Sequence, residues 1–461
     1  MIFFAGWNVS WSPASSFLQH AYINWMTRGL HSGYRRVHLG TQVDDVHLST
    51  ELYEPSGGTY RLTQTDLANH VTWMDDINSR LPAGSSYIIE LAHNGNGNIE
   101  HAKETLSSSQ CSGASLIDLK SAPAGSTSSD LEYVKPPGTG TSLWPGTPRA
   151  FSATTKCMEV DPLLRWLRIP ANRDMFAHVS HTYTHMELNS ATYADAVKEI
   201  TFNQAWLKAA NISSGYLFSS LGLVPPSITG LHNSDVVKAW VENGIQFVVG
   251  DNTRPALRNN NPYWPIETVR ATGGTATVAI IPRWATFVFY NCATSKCDQA
   301  EFTSTKPESV LGGLATDLWK ESKIIATRHL LALHHDPFMF HQANLRTGAE
   351  TIDVNGKKAT SLLMAWTEGV LQEMIRLTNW PIITKTHDEL GWAFVDRRTR
   401  DQCGYKLDLI YGSNGASIVG VRLSASNNQC SVPIPVTFPG PVVDSKDSVV
   451  EQVCLLTINR V

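Results

Sequence analysis

The chain has 461 residues, of which 42% are hydrophobic and 17% are charged, and its net charge is −4. This length suffices for one large domain with a smaller appendage, and the composition is that of a globular protein. Because phosphate binding requires clustered Lys and Arg, the charge balance argues against nucleic acid and anionic membrane surfaces as partners. No run of about eighteen or more apolar residues occurs, so the sequence predicts no membrane span.

Other features of the sequence indicate an extracellular protein, although its N-terminal apolar stretch is too short for a signal peptide. Asn8 and Asn211 each begin an Asn-x-Ser glycosylation sequon, and fourteen tryptophans suit a protein that handles sugars. We therefore expect a secreted, cell-wall-associated glycoprotein that was processed or whose upstream region is absent from this chain. A cytosolic protein with chance sequons is the alternative, because the sequon is only a short pattern.

The seven cysteines are spaced for disulfides rather than for a metal site, since none forms a Cys-x-x-Cys pair. Cys292 and Cys297 are able to close a small loop, and a Cys111–Cys157 bridge would staple a Ser/Pro/Gly-rich segment. Two of the three C-terminal cysteines are also expected to pair; these are Cys403, Cys430 and Cys454. Such bridges favour an oxidising compartment.

Strands and helices are predicted to alternate over most of the chain. In chain order we predict a strand at 35–42, a helix at 65–81, strands at 86–92 and 175–180, helices at 193–210 and 235–243, strands at 245–249 and 278–282, a helix near 308–328, a strand at 329–333, a helix at 360–378 and a strand at 382–385. This alternation predicts an α/β fold with a parallel barrel.

Two regions interrupt or follow the alternation. Residues 104–150 are rich in Ser, Thr, Gly and Pro, which predicts a surface excursion within a long insertion at about 93–174. The insertion would belong to a large first domain of residues 1–399. Beyond it, short alternating segments predict strands at 405–411, 418–425, 433–438 and 449–458, and thus a small β-rich C-terminal region at 400–461.

The first motif with chemical content is the pair Asp44 and Asp45 at the end of a predicted strand. Neighbouring side chains on a strand point in different directions, so one carboxylate is able to bind a metal while the other faces a substrate. Carboxylates at strand ends also match the place where barrel enzymes hold catalytic groups. An acidic turn is the plain structural alternative.

Two histidine motifs follow. His181 and His185 are four residues apart and are able to share a metal from one helical turn. Thr182 stands where a helical zinc protease needs its Glu, which argues against a metalloprotease. Farther on, the apolar strand predicted at 329–333 is followed directly by His334 and His335, of which only one should face a site because strand residues alternate.

Together these motifs resemble those of the NodB-like polysaccharide deacetylases (carbohydrate esterase family 4). The resemblance implies a distorted (β/α) barrel of the NodB-like deacetylase type and a divalent metal cofactor, with zinc as the default and cobalt or nickel as other candidates. Carried over motif by motif, the resemblance implies that Asp44 is the base and that His335 is the acid. The three metal ligands that it implies are Asp45, His181 and His185.

A fourth segment, residues 224–227, resembles the third motif of that family and makes Pro226 a candidate for substrate contact. The Arg that pairs with the base in the family is replaced here by Val224. Arg254 and Arg283 are candidates to substitute for it. The sequence therefore leaves open which residue sets the pKa of the base.

The wider sequence around residues 42–46, 178–182 and 334–342 resembles that of the fungal galactosaminogalactan deacetylases (carbohydrate esterase family 18). This resemblance implies removal of N-acetyl groups from an extracellular amino-sugar polysaccharide, with N-acetylgalactosamine as the expected sugar and a link to biofilm exopolysaccharide. Asp251 is a further candidate for substrate contact. Tyr263 and Trp264 form either a sugar platform or a cover over the core.

Two other functions stay open at this stage. A non-catalytic carbohydrate-binding relative on the same fold is favoured by the replaced Arg and the β-rich tail, and opposed by the complete set of ligand, base and acid candidates. A metal-dependent amidohydrolase acting on small molecules is opposed by the tryptophan content, the sequons and the long insertion. Activity on a polymer compared with a monomer would separate the polysaccharide enzyme from the latter.

Overall fold

The computed structural model describes residues 13–33, 36–105, 109–122, 134–268, 277–309, 312–425 and 430–438. The helices in these residues are α1 (Pro13–Met26), α2 (Gln64–Arg80), α3 (Gly95–Thr105), α4 (Thr155–Met158), α5 (Pro162–Leu167), α6 (Pro170–Arg173), α7 (Tyr193–Ala209), α8 (Ser234–Glu242), α9 (Ser295–Thr305), α10 (Leu318–Leu331), α11 (Leu362–Leu377) and α12 (His387–Gln402). None of them is both long enough and apolar enough to cross a lipid bilayer.

The strands in the same residues are β1 (His31–Ser32), β2 (Val37–His38), β3 (Thr41–Val46), β4 (Thr50–Glu51), β5 (Thr59–Tyr60), β6 (Ile89–His93), β7 (Ala177–Ser180), β8 (Phe218–Leu223), β9 (Phe247–Val249), β10 (Ile266–Glu267), β11 (Ala279–Ile281), β12 (Trp284–Ala285), β13 (Phe338–His341), β14 (Ile352–Val354), β15 (Lys357–Ala359), β16 (Ile382–Ile383), β17 (Tyr405–Tyr411), β18 (Ile418–Ala425) and β19 (Val436–Thr437). Most are short, and many are fully buried.

Nine of these strands form a central sheet, in the order β10-β11-β9-β8-β7-β6-β3-β13-β12. Neighbours are parallel except for the antiparallel edge pair β10 and β11. The sheet is curled, because β11 and β12 lie near its opposite ends and yet only Pro282 and Arg283 separate them in the chain. The three Cα–Cα steps from β11 to β12 span at most about 11 Å, so the two sides of the sheet come together.

The α/β class and most predicted elements are confirmed, but the strand predicted at 329–333 is wrong. These residues lie at the end of α10 and in the turn that follows, and the strand is β13, which begins at Phe338. Leu330 and Leu331 are fully buried on the helix. A short apolar run on a buried helix face cannot be distinguished from a buried strand by periodicity alone.

The predicted surface excursion at 104–150 is mostly exposed in its described part, as expected, but a few of its residues anchor it to the domain. Trp144 is fully buried, and its indole Nε1 donates a hydrogen bond of 2.9 Å to Glu199 on α7. The predicted Cys111–Cys157 disulfide is present and joins the excursion to α4. The segment therefore packs against the domain and contributes to its core.

The other predicted disulfides whose cysteines lie within the described residues are confirmed. Cys292 pairs with Cys297, and Cys403 pairs with Cys430 next to the antiparallel hairpin of β17 and β18. The hairpin confirms the β-strands predicted at 405–411 and 418–425. Cys454 and the strand predicted at 449–458 lie outside the described residues, as does the sequon at Asn8.

Helix α12 lies so close to the sheet that Gly391 has no room for a side chain. A Cβ atom there would lie 2.2 Å from Cγ of Phe247 on β9. We expect Gly391→Ala to lower the free energy of unfolding by about 1–3 kcal/mol, because overpacking displaces the helix. Urea denaturation measures the change.

The matched control is Gly369 on α11, where the nearest atom to a new Cβ is Val354 Cγ1 at 3.8 Å. Gly369→Ala is expected to raise stability by up to about 1 kcal/mol, since Ala is favoured over Gly within a helix. Equal denaturation midpoints for the two variants would contradict the close approach of α12 to the sheet.

Candidate active site

The chemical side chains gather where parallel strands of the central sheet end. Asp44 and Asp45 lie in the last three residues of β3, His181 directly follows β7, and His341 ends β13. The carboxyl ends of parallel strands meet at one edge of the sheet, which is where α/β folds bind ligands. The curl of the sheet brings these ends around a common centre.

Three of these side chains form a cluster suited to a divalent metal. Asp45 Oδ1 lies 3.3 Å from His181 Nε2 and 3.2 Å from His185 Nε2. Ligands about 2.1 Å from a tetrahedral ion are separated by about 3.4 Å, which matches these distances. The two imidazole planes meet at 73°, so that both nitrogen lone pairs are able to point at one ion.

Two buried polar atoms of the cluster have no hydrogen-bond partner within the described residues. Asp45 Oδ1 and His181 Nε2 are buried, and within the described residues no hydrogen bond of good geometry satisfies either atom. Buried polar atoms are normally paired, and an orphaned pair facing a common point is expected where a ligand binds. The donor set of two imidazoles and one carboxylate is that of a catalytic zinc site with open positions.

The backbone brings the two histidines together through a bend rather than a helical turn, so the predicted helical pairing is wrong. Thr182 and His185 both have φ of 65°, in the left-handed region, and the segment has no helical assignment. Asp45 has φ of 66°. Non-glycine residues in this region are strained, and such strain concentrates at functional sites.

A carbonyl behind the cluster orients the first histidine. His181 Nδ1 lies 2.8 Å from the backbone oxygen of Val224. With the Nδ1 proton donated to that oxygen, the Nε2 lone pair is directed at Asp45, an arrangement typical of metal-binding histidines. Val224, which replaces the Arg of the family motif, therefore serves the site through its main chain.

The two histidines differ in their electrostatic surroundings. Burial lowers the pKa of His185 to about 4, although Asp45 opposes the shift. Burial also acts on His181, but the carboxylates of Asp44 and Asp45 outweigh it and the net shift of its pKa is upward. A bound cation would take the place of that proton, because metal binding requires the neutral imidazole.

Arg283 provides the partner that the sequence left open for Asp44. Its Nη1 donates to Asp44 Oδ2 at 2.8 Å, and its Nη2 donates to Asp44 Oδ1 at 2.7 Å. Burial raises the pKa of the Asp44 carboxyl, but Arg283 and His181 more than offset this, and the net shift is downward. Arg254, the other candidate, instead pairs with Asp251 at 3.0 Å.

His341, which the sequence reasoning missed as a site residue, stands beside Asp44. It is the register partner of Asp44 in the pairing of β13 with β3, and its Nε2 lies 4.0 Å from Asp44 Oδ2. Burial lowers its pKa despite the two nearby carboxylates. The only sequence signal was its place at the end of an alternating segment, because the register with β3 is a long-range property.

The structure does not bring His335 to this cluster, in contrast to the role implied by the resemblance. His335 precedes β13 by three residues and therefore lies toward the amino end of the strand. Its ring packs edge-on against His38 at 4.2 Å and against Phe394. Burial and the positive charges of neighbouring side chains hold its pKa well below the ordinary value.

The remaining candidates for substrate contact are placed as follows. Tyr263 stacks on His334 with ring centroids 4.5 Å apart and donates its hydroxyl to the oxygen of Ala332, so its ring is used in packing beside the end of α10. Trp264 donates its Nε1 to Asp401. Asp251 follows β9, and Pro226 lies in the turn two residues after Val224. Within the described residues, none of the four forms a hydrogen bond or ion pair with Asp45, His181 or His185.

A second group of ligand-type residues, His329, His334 and Asp336, has suitable distances but unsuitable ring planes. The imidazole nitrogens lie 3.6 and 3.5 Å from Asp336 Oδ2. The two rings are nearly parallel, at 6°, with centroids 4.3 Å apart, so they stack face to face. One ion cannot lie in both ring planes, whereas the crossed rings of His181 and His185 allow it.

Comparison with known proteins agrees with this geometry. A family model for the Agd3 deacetylase domain matches residues 39–408, and one for the Agd3 C-terminal domain matches residues 411–454. The crystal structure of Agd3, described as a novel carbohydrate deacetylase, is 47% identical with a TM-score of 0.88 over 95% of this chain. The chain spans 65% of the length of that protein.

Other comparisons add little. A 4-alpha-glucanotransferase from Thermococcus litoralis aligns over 77% of this chain and 40% of its own at 12% identity, with a TM-score of 0.36 that is too low to support an argument. No curated protein matches the chain. The family models and the Agd3 structure are sufficient, and the family predicted from the sequence motifs is confirmed: this chain belongs to the Agd3 deacetylase family.

Proposed function

We propose that this chain is a metal-dependent polysaccharide N-deacetylase that acts on an extracellular amino-sugar polymer, with N-acetylgalactosamine-containing galactosaminogalactan as its substrate. The observation that carries the proposal is the cluster of Asp45, His181 and His185 beside the Arg283-bound carboxylate of Asp44. Family membership supports carbohydrate deacetylation, because the related Agd3 structure carries that description. The curled parallel sheet supports a distorted barrel of the NodB-like type.

The cofactor in this proposal is a divalent ion, with zinc first because two imidazoles and one carboxylate are its usual donors. A bound ion would supply Lewis-acid activation of water and of the acetyl carbonyl. Secretion, including the cell-wall association, remains part of the proposal and is supported by the three disulfides in the described residues.

The proposed roles of the protein side chains follow from charge and position. Asp44 is ionised because Arg283 holds its pKa down, and it removes a proton from the attacking water. Its orientation is fixed by the bidentate contact with the guanidinium. The amide nitrogen of the substrate must gain a proton before it can leave as an amine.

His341 is proposed to deliver that proton. Its Nε2 is 4.0 Å from Asp44 Oδ2, near enough for the proton taken from water to pass from the carboxylate to the imidazole after a small approach. From His341 the proton passes to the amide nitrogen as the bond between this nitrogen and the acetyl carbon breaks, which releases the amine and acetate. His335 is not proposed for this step, because its ring is packed against His38 and Phe394.

The histidine assignment leads to a direct test. We expect His341→Ala to reduce acetate release by about 10²-fold, the scale of a lost general acid. His335→Gln, which removes the histidine implied by the family motif, is expected to keep activity within about threefold of the native chain at equal folded fraction. Rates are measured as acetate formed from partially N-acetylated galactosamine polymer with zinc present.

Activity itself is tested in the same assay with and without added metal. Acetate release that requires a divalent ion and is lost in Asp44→Asn supports the proposal. A native chain that binds the polymer but releases no acetate with zinc, cobalt or nickel would instead identify a carbohydrate-binding relative on this fold. A larger loss for His335→Gln than for His341→Ala would return the acid role to His335.

A further inference from the structure

Two tyrosines stand exposed on neighbouring loops beside the candidate active site. Tyr290 is 54% exposed, and its ring centroid lies 5.7 Å from the ring of His341. Tyr53 is 44% exposed, and its backbone nitrogen donates to the oxygen of Asn291 at 3.0 Å. Exposed aromatic rings beside a chemical centre are suited to contact a ligand, because ligand sites are commonly lined by aromatic side chains.

The loop that carries Tyr290 is held firmly in place. The backbone nitrogen of Cys292 donates to the oxygen of Phe289, which closes a turn around Tyr290, and the disulfide from Cys292 to Cys297 fixes the end of that turn. The amide of Phe289 also donates to Asp298 Oδ1 at 2.8 Å. An aromatic ring presented on a constrained turn loses little conformational entropy when a ligand binds.

Asn344 couples this turn to the candidate active site. Its Nδ2 donates to the backbone oxygens of Phe289 and Cys292, at 2.8 and 2.9 Å. Its Oδ1 accepts a hydrogen bond of 2.8 Å from the backbone nitrogen of His341. One side chain thus fixes the position of the Tyr290 turn relative to the histidine beside Asp44.

We propose that Tyr290 is a stacking platform for a pyranose ring of the polymer, and that Tyr53 extends the platform to a neighbouring sugar. This inference rests on the proposed function and adds a substrate-binding subsite to it. One face of a hexosamine ring carries C–H groups, which pack on the face of an aromatic ring while the polar substituents stay hydrated. A sugar placed there lies against His341, where the acetamido nitrogen must receive its proton.

The platform differs from the aromatic pair predicted from the sequence. Tyr263 and Trp264 are tied to Ala332 and Asp401 by hydrogen bonds, and Arg397 covers the face of the Tyr263 ring at 4.0 Å. By contrast, Tyr290 presents more than half of its surface to solvent.

The test measures binding of a partially N-acetylated galactosamine oligosaccharide to the metal-free full chain by calorimetry, which does not depend on catalysis. Tyr290→Ala is expected to weaken binding about tenfold, whereas Tyr290→Phe, which keeps the ring, should stay within about twofold. The control is Tyr216→Ala, since Tyr216 is 76% exposed but precedes β8 and so lies at the amino end of the sheet. Its binding should equal that of the native chain.

A second readout uses acetate release with zinc present, where Tyr290→Ala should act mainly by raising KM. Equal binding by Tyr290→Ala and the native chain, or no binding by the native chain, overturns the platform. A native chain that binds but releases no acetate overturns the proposed function and leaves the binding comparison decisive for the platform. If the urea denaturation midpoint of Tyr290→Ala equals that of the native chain, a loss of binding is not due to unfolding.

Discussion

His181→Ala is expected to abolish metal binding and to reduce acetate release by at least about 10⁴-fold. The substitution removes one of three donors and leaves Asp45 and His185 as an incomplete set. Without an ion to lower the pKa of water, Asp44 alone cannot generate the nucleophile. Zinc content after loading and desalting, measured by elemental analysis together with the rate, checks both parts.

His334→Ala is the matched control for the metal measurement. It removes an imidazole from the stacked group of His329, His334 and Asp336, which has similar donor distances. The native chain and this variant should both retain one equivalent of zinc. If His181→Ala kept its zinc and His334→Ala lost it, the ion would belong to the stacked group and the proposed centre would be wrong.

Much of the candidate metal cluster could be predicted, because its residues lie next to strong local signals in the sequence. Asp44 and Asp45 are adjacent in the chain, and the bend that carries His181 and His185 follows a buried strand that the apolar pattern revealed. In both cases the motif lies at the carboxyl end of a strand that the sequence also predicts. The end of the strand therefore brings the side chains to the site. Only the helical turn expected between the histidines was wrong.

The partners of Asp44 could not be predicted with the same certainty, since they depend on long-range pairing. His341 reaches Asp44 through the register of β13 with β3, across almost three hundred intervening residues. The wrong strand at 329–333 hid this register, because it placed the end of the strand before His334 and His335, whereas β13 spans Phe338–His341. The family motif implied His335 as the acid, whereas the structure places His335 before β13 and His341 at its carboxyl end.

Arg283 illustrates the part that topology contributes. It lies in the two-residue link between β11 and β12, whose strands pair near opposite ends of the sheet. The guanidinium reaches Asp44 only because the sheet curls and brings that link across from β3. In the sequence, Arg283 and Arg254 were equivalent candidates. The curl of the sheet distinguishes them, because it brings Arg283 to Asp44 while Val224 stands in place of the Arg of the related motif.

Arg283→Met is expected to reduce acetate release by about 10²–10³-fold and to lower the free energy of unfolding by about 3–5 kcal/mol. The side chains of Arg283 and Asp44 are only 1% and 6% exposed, and removing one partner leaves the other as an unpaired buried charge. The pKa of Asp44 should rise, because burial then acts without the opposing guanidinium. Fewer carboxylates are ionised, and their orientation is lost.

The double variant Asp44→Asn/Arg283→Met separates the two effects. It removes both charges, and a buried ion pair replaced by neutral groups of similar size is often no less stable than the pair. We therefore expect urea denaturation to show recovery of more than half of the stability lost in Arg283→Met, while acetate release stays at the level of Asp44→Asn because the base is absent. Additive losses of stability in the double variant would mean that Arg283 supports the fold through contacts other than Asp44, and its role as the clamp of the base would have to be withdrawn.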